Sequence, residues 1–410
     1  MMSSQELKSV LATGGCGFIG YHLVSRLLET SSNSHISVLD LPTSLPRYPN
    51  VKYYEVDVSI KPDVQDALEK IRLTVIFHAT CNPTYSLALP AEIHNRINTL
   101  GTINVLQATQ SVGTVKAFVY HSSSSVMEDG LSSMYNSTET SPVLFAPRQK
   151  FPYPLSKALA EKAVLEANRK NGILTTSIRP AGTFGEADYE MIGRLVASAQ
   201  SGRANVQIGD GSNPYDFLYV GNLVPAHLLA AKALLRASYI PEDEIREKER
   251  VDGEVFNITN DEPWLFWEFH REVAKQAGFP VRKEDIKILP RWLMMVIAFF
   301  AKWWVWVFIG GRESTLQRSS VRYACLTKTL SCGKAKRVLG YRPTIGIQEG
   351  IERSLRLGFR GEGEEGEGFV NDGRSLKLEA NYRLLPVETF LRDTPGYSSF
   401  NGVIRCFIQF

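Results

Sequence analysis

Eight residues, Thr13-Gly14-Gly15-Cys16-Gly17-Phe18-Ile19-Gly20, leave this chain few ways to begin folding. They follow a short apolar run, Ser9 to Ala12, and lead into a helical pattern through Leu23, Val24 and Leu27, so the order reads strand, tight turn, helix. Glycine is needed where the backbone turns sharply and where it approaches a pyrophosphate, whose charge then sits at the positive end of the helix. Gly14, Gly17 and Gly20, with Phe18 and Ile19 between them, are candidate cofactor contacts; a plain turn is the bland alternative.

A second apolar run, Ile36 to Leu39, ends at Asp40, where an acid accepts hydrogen bonds from both ribose hydroxyls of NAD and repels a 2'-phosphate. No arginine follows until Arg47, so NAD is favoured over NADP. Further runs at Val51 to Tyr54, Thr74 to Phe77, Ala117 to Tyr120 and Ile173 to Ile178 repeat the alternation of strand and helix. The expected class is α/β: a Rossmann-type doubly wound parallel sheet with a smaller mixed C-terminal substrate lobe. Its NAD-binding part is expected over residues 1–180. The lobe, with segments returning to the sheet, spans 181–358. Asp57, with Val58 beside it, follows the third strand where a side chain can meet the adenine amino group. His78-Ala79-Thr80 closes the fourth strand, and small Ala79 lets a cofactor lie close. Asn98 is read first as a structural residue bonding a neighbouring backbone, and second as a prop for the active-site strand.

Tyr153 and Lys157 stand four residues apart and can share one helix face. A phenol has a reference pKa of about 10, so a tyrosine base near neutrality needs a shift of roughly 3 units, about 4 kcal/mol, from neighbouring positive charge. Lysine and an oxidised nicotinamide both supply it. Pro154 requires the helix to begin near Tyr153, because proline is tolerated only in the first turn. Upstream, His121-Ser122-Ser123-Ser124-Ser125 leaves the fifth strand, and strand alternation allows every second hydroxyl to face the cleft. Such a run suits a donor to a substrate oxygen; a loop cluster is the plainer reading.

With these motifs the chain resembles the extended short-chain dehydrogenase/reductase family: Thr-Gly-x-x-Gly-x-x-Gly at Thr13 to Gly20, serine after the fifth strand, and Tyr153-x-x-x-Lys157. The family's register, counted back from Val126, makes Ser123 the catalytic serine. Arg179-Pro180-Ala181-Gly182-Thr183-Phe184-Gly185 and Asp216-Phe217-Leu218-Tyr219-Val220-Gly221-Asn222 look like its 3-beta-hydroxysteroid dehydrogenase branch, and Pro180 is carried over as a cofactor contact. The stretch from Val251 to Pro263, and then Lys334 to Pro343, is closer still to the decarboxylating fungal sterol-4-alpha-carboxylate 3-dehydrogenases. The likeness covers roughly residues 8 to 356 and implies oxidation of a sterol or triterpenoid carboxylate at its 3-beta-hydroxyl with loss of the carbon 4 carboxylate. It also implies an endoplasmic reticulum membrane setting with the protein on the cytosolic face, and as partners a homodimer or a sterol C-4 demethylation complex. Ala12, His121, Pro154 and the Thr80 to Ala91 loop depart from the usual pattern.

Trp292 to Ile309 is apolar except for Lys302 and carries four tryptophans. Its length approaches a bilayer span. The central lysine, flanking Arg291 and Arg312, and the clustered tryptophans favour a helix lying in the membrane interface over a spanning one or a buried lobe helix. A formal net charge of +3 argues against nucleic acid as a partner. Five cysteines without pair or ligand spacing, and seven scattered histidines, fit reduced thiols and no metal site. Met1 to Lys8 lacks an apolar signal core, and the folded part is expected to face the cytosol. Glu242 to Arg250 reads as a solvated face, residues 361–368 as an acidic linker, and 369–410 as an unassigned tail. Competing readings are a 3-beta-hydroxysteroid dehydrogenase/isomerase, a triterpenoid dehydrogenase of secondary metabolism, a sugar-nucleotide epimerase, a non-catalytic NAD-sensing module and a membrane-bound scaffold. The sensing module has no need of Tyr153 and Lys157.

Overall fold

The computed structural model describes residues 7–30, 35–41, 45–82, 89–308 and 317–358. The acidic linker, the tail and part of the Thr80 to Ala91 loop lie outside the described residues. Seven strands form one parallel sheet in the order Val255–Ile258, Leu174–Pro180, Ala117–His121, Val75–His78, Ser9–Thr13, His35–Asp40, Lys52–Glu55. The six expected apolar runs are its first six strands in sequence, each shifted by no more than a residue or two. The seventh returns from the second half of the chain. Phe118, Val119 and Tyr120 in the interior strand Ala117–His121 are fully buried, as expected for a sheet covered on both faces.

The strand order reverses beside the first strand, which pairs with His35–Asp40 on one side and Val75–His78 on the other. The crevice at that reversal is where an open sheet of this kind binds ligands. On one face the helix Val220–Ala237 packs against the first helix, Phe18–Thr30, and against the two strands Ala117–His121 and Leu174–Pro180. A four-stranded lobe sheet, Trp264–Leu265, Pro214–Tyr215, Lys328–Leu330 and Met134–Ser137, draws on segments far apart in sequence.

The apolar segment is one helix, Arg291–Phe308. Met294 and Ala298 are buried, whereas Trp292, Phe300 and Trp303 are 69%, 64% and 60% exposed. Among the described residues no helix is long and apolar enough to cross a membrane. Glu242 to Arg250 forms two short 3-10 turns at the surface, where Glu242 pairs with Arg250 at 2.5 Å.

Candidate active site

The glycine turn is built so tightly at Gly14 and Gly20 that neither position has room for a side chain. A Cβ on Gly20 falls 2.0 Å from the carbonyl oxygen of Gly14, and one on Gly14, whose φ is +71°, falls 2.6 Å from the backbone nitrogen of Thr80. Ala79 and Thr80 thus close directly onto the turn, and the Ala79 amide donates to Thr13 O at 3.0 Å. The Gly17 amide is satisfied by Gly14 O. Phe18 and Ile19 open the following helix, where first-turn amides have no partner within the helix. The carboxylate of Asp40 accepts from the amide of Cys16 (2.9 Å) and from that of Leu41 (2.8 Å). Burial raises its pKa, and the two amides oppose that shift. Each oxygen keeps acceptor capacity for a ribose hydroxyl. Arg47, the first arginine after it, is engaged with Glu55 at 2.7 Å and lies over the Tyr53 ring. The cradle therefore fits a dinucleotide, and the remaining acceptor capacity of the Asp40 carboxylate fits NAD rather than a 2'-phosphorylated one.

Asp57 accepts from the Ser59 amide at 2.8 Å, a local turn that fixes the chain beside Val58, and Val58 packs on Gly101 closely enough to exclude a side chain there. Pro180 ends its strand opposite Ile258.

The helix Pro152–Glu166 begins where Pro154 requires, with prolines confined to its first turn. It packs against the 3-10 turn Ser124–Met127. Tyr153 is half-buried, edge-on to His94 at 6.0 Å. One turn on, Lys157 is fully buried; its Nζ donates to His121 O at 2.6 Å and lies 4.8 Å from the Tyr120 ring centre. Burial lowers the pKa of Lys157, with Cys81 and Glu161 acting against it. The strand-end carbonyl just before the serine run thus holds the ammonium.

Alternation does not govern the serines. The fifth strand stops at His121, Ser123 caps the 3-10 turn, and its Oγ accepts from the Ser125 amide (3.2 Å) and meets Ser125 Oγ at 2.8 Å. Which hydroxyl faces the cleft is decided by that turn, not by the pleat.

Asn98 does more than its structural reading allowed, although that reading is included. Its side chain accepts from the Asn82 amide (3.0 Å) and donates to Ser156 Oγ (2.9 Å), tying the loop after the fourth strand to the helix of Tyr153 and Lys157. Below it Thr13 Oγ1 meets His78 Nδ1 at 2.6 Å, His78 Nε2 meets Thr102 Oγ1 at 2.9 Å, and Thr102 donates to Asn98 O. Two further partnerships escaped sequence reasoning. Glu161 takes Arg179 at 2.6 Å with both side chains buried, and His121 Nδ1 meets His227 Nε2 at 3.1 Å with the rings stacked. Burial lowers the pKa of both histidines, that of His227 to about 4. Among the described residues no group of acids, cysteines and histidines has a metal-holding arrangement.

The sequence pattern of the 3-beta hydroxysteroid dehydrogenase/isomerase family matches residues 11–290, which takes in the glycine turn, the serine run and the Tyr153 helix. The chain belongs to that family. Among similar proteins, the decarboxylating sterol-4-alpha-carboxylate 3-dehydrogenase of Candida albicans is 34% identical, covering 86% of this chain and 98% of its own. The mouse (Mus musculus) protein of the same description is 32% identical, covering 86% and 91%. Among solved structures, a dTDP-glucose 4,6-dehydratase from Bacillus anthracis in complex with NAD superposes with a TM-score of 0.61 at 19% identity over 85% of this chain and 96% of that one. That likeness shows that this family member has a Rossmann-type fold.

Proposed function

We propose that this family member oxidises the 3-beta-hydroxyl of a sterol 4-alpha-carboxylate with NAD and releases the carbon 4 carboxylate as carbon dioxide. The observation that carries the reading is the Lys157 ammonium, buried one helical turn from Tyr153 and fastened to the carbonyl that precedes the serine run. Similar proteins named for that reaction in a yeast and a mammal support the substrate class.

Tyr153, as phenolate, takes the proton of the 3-hydroxyl. Lys157 lowers the phenol's pKa by its charge, and its position suits a hydrogen bond to the nicotinamide ribose. Ser123 orients the substrate oxygen. Gly14, Gly17, Gly20 and Asp40 hold the dinucleotide, which when bound accepts the hydride leaving carbon 3. The resulting ketone is beta to the carboxylate. The bond from carbon 4 to the carboxylate breaks, its electron pair passes into an enolate, and carbon dioxide departs. Ser123 and the newly protonated Tyr153 donate to the enolate oxygen.

The exposed apolar face of Arg291–Phe308 supports attachment to the membrane surface, with Trp292, Phe300 and Trp303 at the lipid boundary. A lipid substrate then enters from the bilayer, on the cytosolic face of the endoplasmic reticulum in this reading. A homodimer, or an assembly with other sterol C-4 demethylation enzymes, is the matching partner proposal. Incubating protein-bearing membranes with NAD and carboxysterols tests the chemistry: NADH and carbon dioxide in equal amounts are expected. NADH without carbon dioxide reduces the enzyme to a plain dehydrogenase.

A further inference from the structure

Lys328 stands far from every motif of the cofactor half, yet the lobe sheet carries it to the serine turn. Its strand pairs with Tyr215 on one side and Met134 on the other. The side chain is buried at 7% exposure, its Nζ 2.5 Å from Glu128 and 3.8 Å from the centre of the Tyr323 ring. Glu128 is the residue immediately after the turn that Ser123 caps. Beside this pair lies a void of about 10 Å³, room for a water, lined in part by Ser124, Gly182 and Lys328. An ammonium is thus buried at the edge of the serine turn. Retaining one is costly unless an anion faces it.

We propose that Lys328 recognises the substrate's carboxylate, with Glu128 occupying that place in the free enzyme. The inference rests on the reading of the substrate as a sterol carboxylate and deepens it. An ammonium has three donors, and Glu128 engages one of them. A carboxylate arriving from the serine side finds the others, or takes the place of Glu128 on the ammonium. Asp216 also lines the void and opposes an arriving anion. One of its oxygens is bound to the Leu330 amide at 2.7 Å, and burial raises its pKa to about 6, so its charge is already weakened in mild acid. Glu128 and Lys328 lie 200 residues apart in sequence, so the pair forms only when the lobe is assembled.

The test compares kcat/KM for a 4-carboxysterol with that for the same sterol lacking the carboxylate, in the full-length enzyme with NAD. Lys328→Met is expected to lower the ratio of acid to neutral substrate roughly tenfold or more, chiefly through KM, and Lys328→Arg to restore most of it. Glu128→Gln removes the competing anion and is expected to raise the ratio several-fold. If the pair is only a latch between lobe and turn, both substrates suffer alike and Glu128→Gln harms the enzyme as Lys328→Met does. That result overturns the assignment. Should Lys328→Met not fold, Glu128→Gln decides alone: an unchanged or lowered ratio rejects the proposal. Wild-type enzyme inert toward every carboxysterol rejects the proposed function itself, a separate outcome.

Discussion

Replacing Lys157 with methionine separates charge from packing at the heart of the site. Methionine keeps most of the stem and removes the ammonium, so the 0% exposed position stays filled. A charge about 6 Å away, one helical turn, acting through an effective dielectric of about 20, is worth about 3 kcal/mol to a neighbouring phenolate. That is about 2 pH units. Loss of positive charge raises the phenol's pKa, so the acid limb of the kcat/KM profile is expected to move about 2 units upward, with activity at neutral pH falling about 100-fold. The fold should survive. Burial sets the folded pKa of Lys157 below its ordinary 10.5, so stability rises with pH between the lowered value and 10.5, and at neutral pH the buried charge is a cost that methionine does not carry. Against this stand the lost bond to His121 O and the lost contact with the Tyr120 ring. Steady-state kinetics across pH, with a melting curve for the same sample, reads both effects. An unmoved pH profile, or an activity loss matched by unfolding, refutes the reasoning.

Three other outcomes follow from neighbouring groups. Glu161→Gln leaves the Arg179 guanidinium buried without its counter-charge, and chemical denaturation should register a loss of about 3–5 kcal/mol; an unchanged midpoint makes the pair dispensable. His227 is held neutral in the fold with a pKa of about 4 against an unfolded 6.5, so the unfolded chain gains a proton first and stability should fall by about 3 kcal/mol as pH drops from 6.5 to 4. His227→Gln should lessen that slope, the buried His121 still contributing in the same direction, and an equally acid-labile variant removes His227 from the explanation. Asp40→Ser takes away the carboxylate facing the ribose, and use of NADP relative to NAD is expected to rise at least about tenfold by initial rates; unchanged preference places the discrimination elsewhere.

The cofactor half was legible because its signals are local. Ser9–Thr13, the glycine turn and Asp40 lie within one strand-turn-helix-strand unit, and each side chain there acts on groups a few positions away. The start of the Tyr153 helix was fixed by proline alone. Reading failed where contacts join distant segments. Lys157 with His121 O, Glu161 with Arg179, and His121 with His227 depend on how a helix settles on the sheet, which hydrophobic periodicity leaves open. His121 was visible only as an unusual residue in its motif. The serine run misled because alternation was carried past the strand's end, where the chain had already turned into a 3-10 helix. Lys328 gave no signal at all: a lone lysine between two threonines becomes meaningful only once its strand lies beside Met134 and Tyr215.

The central claim is that one phenolic oxygen moves the substrate's proton. Tyr153→Phe, assayed in membranes with NAD and a 4-carboxysterol for NADH and carbon dioxide, and separately for NAD binding by calorimetry, tests it most directly. Both products should vanish together while NAD still binds. Continued release of either product at a rate near that of the unaltered enzyme contradicts the account.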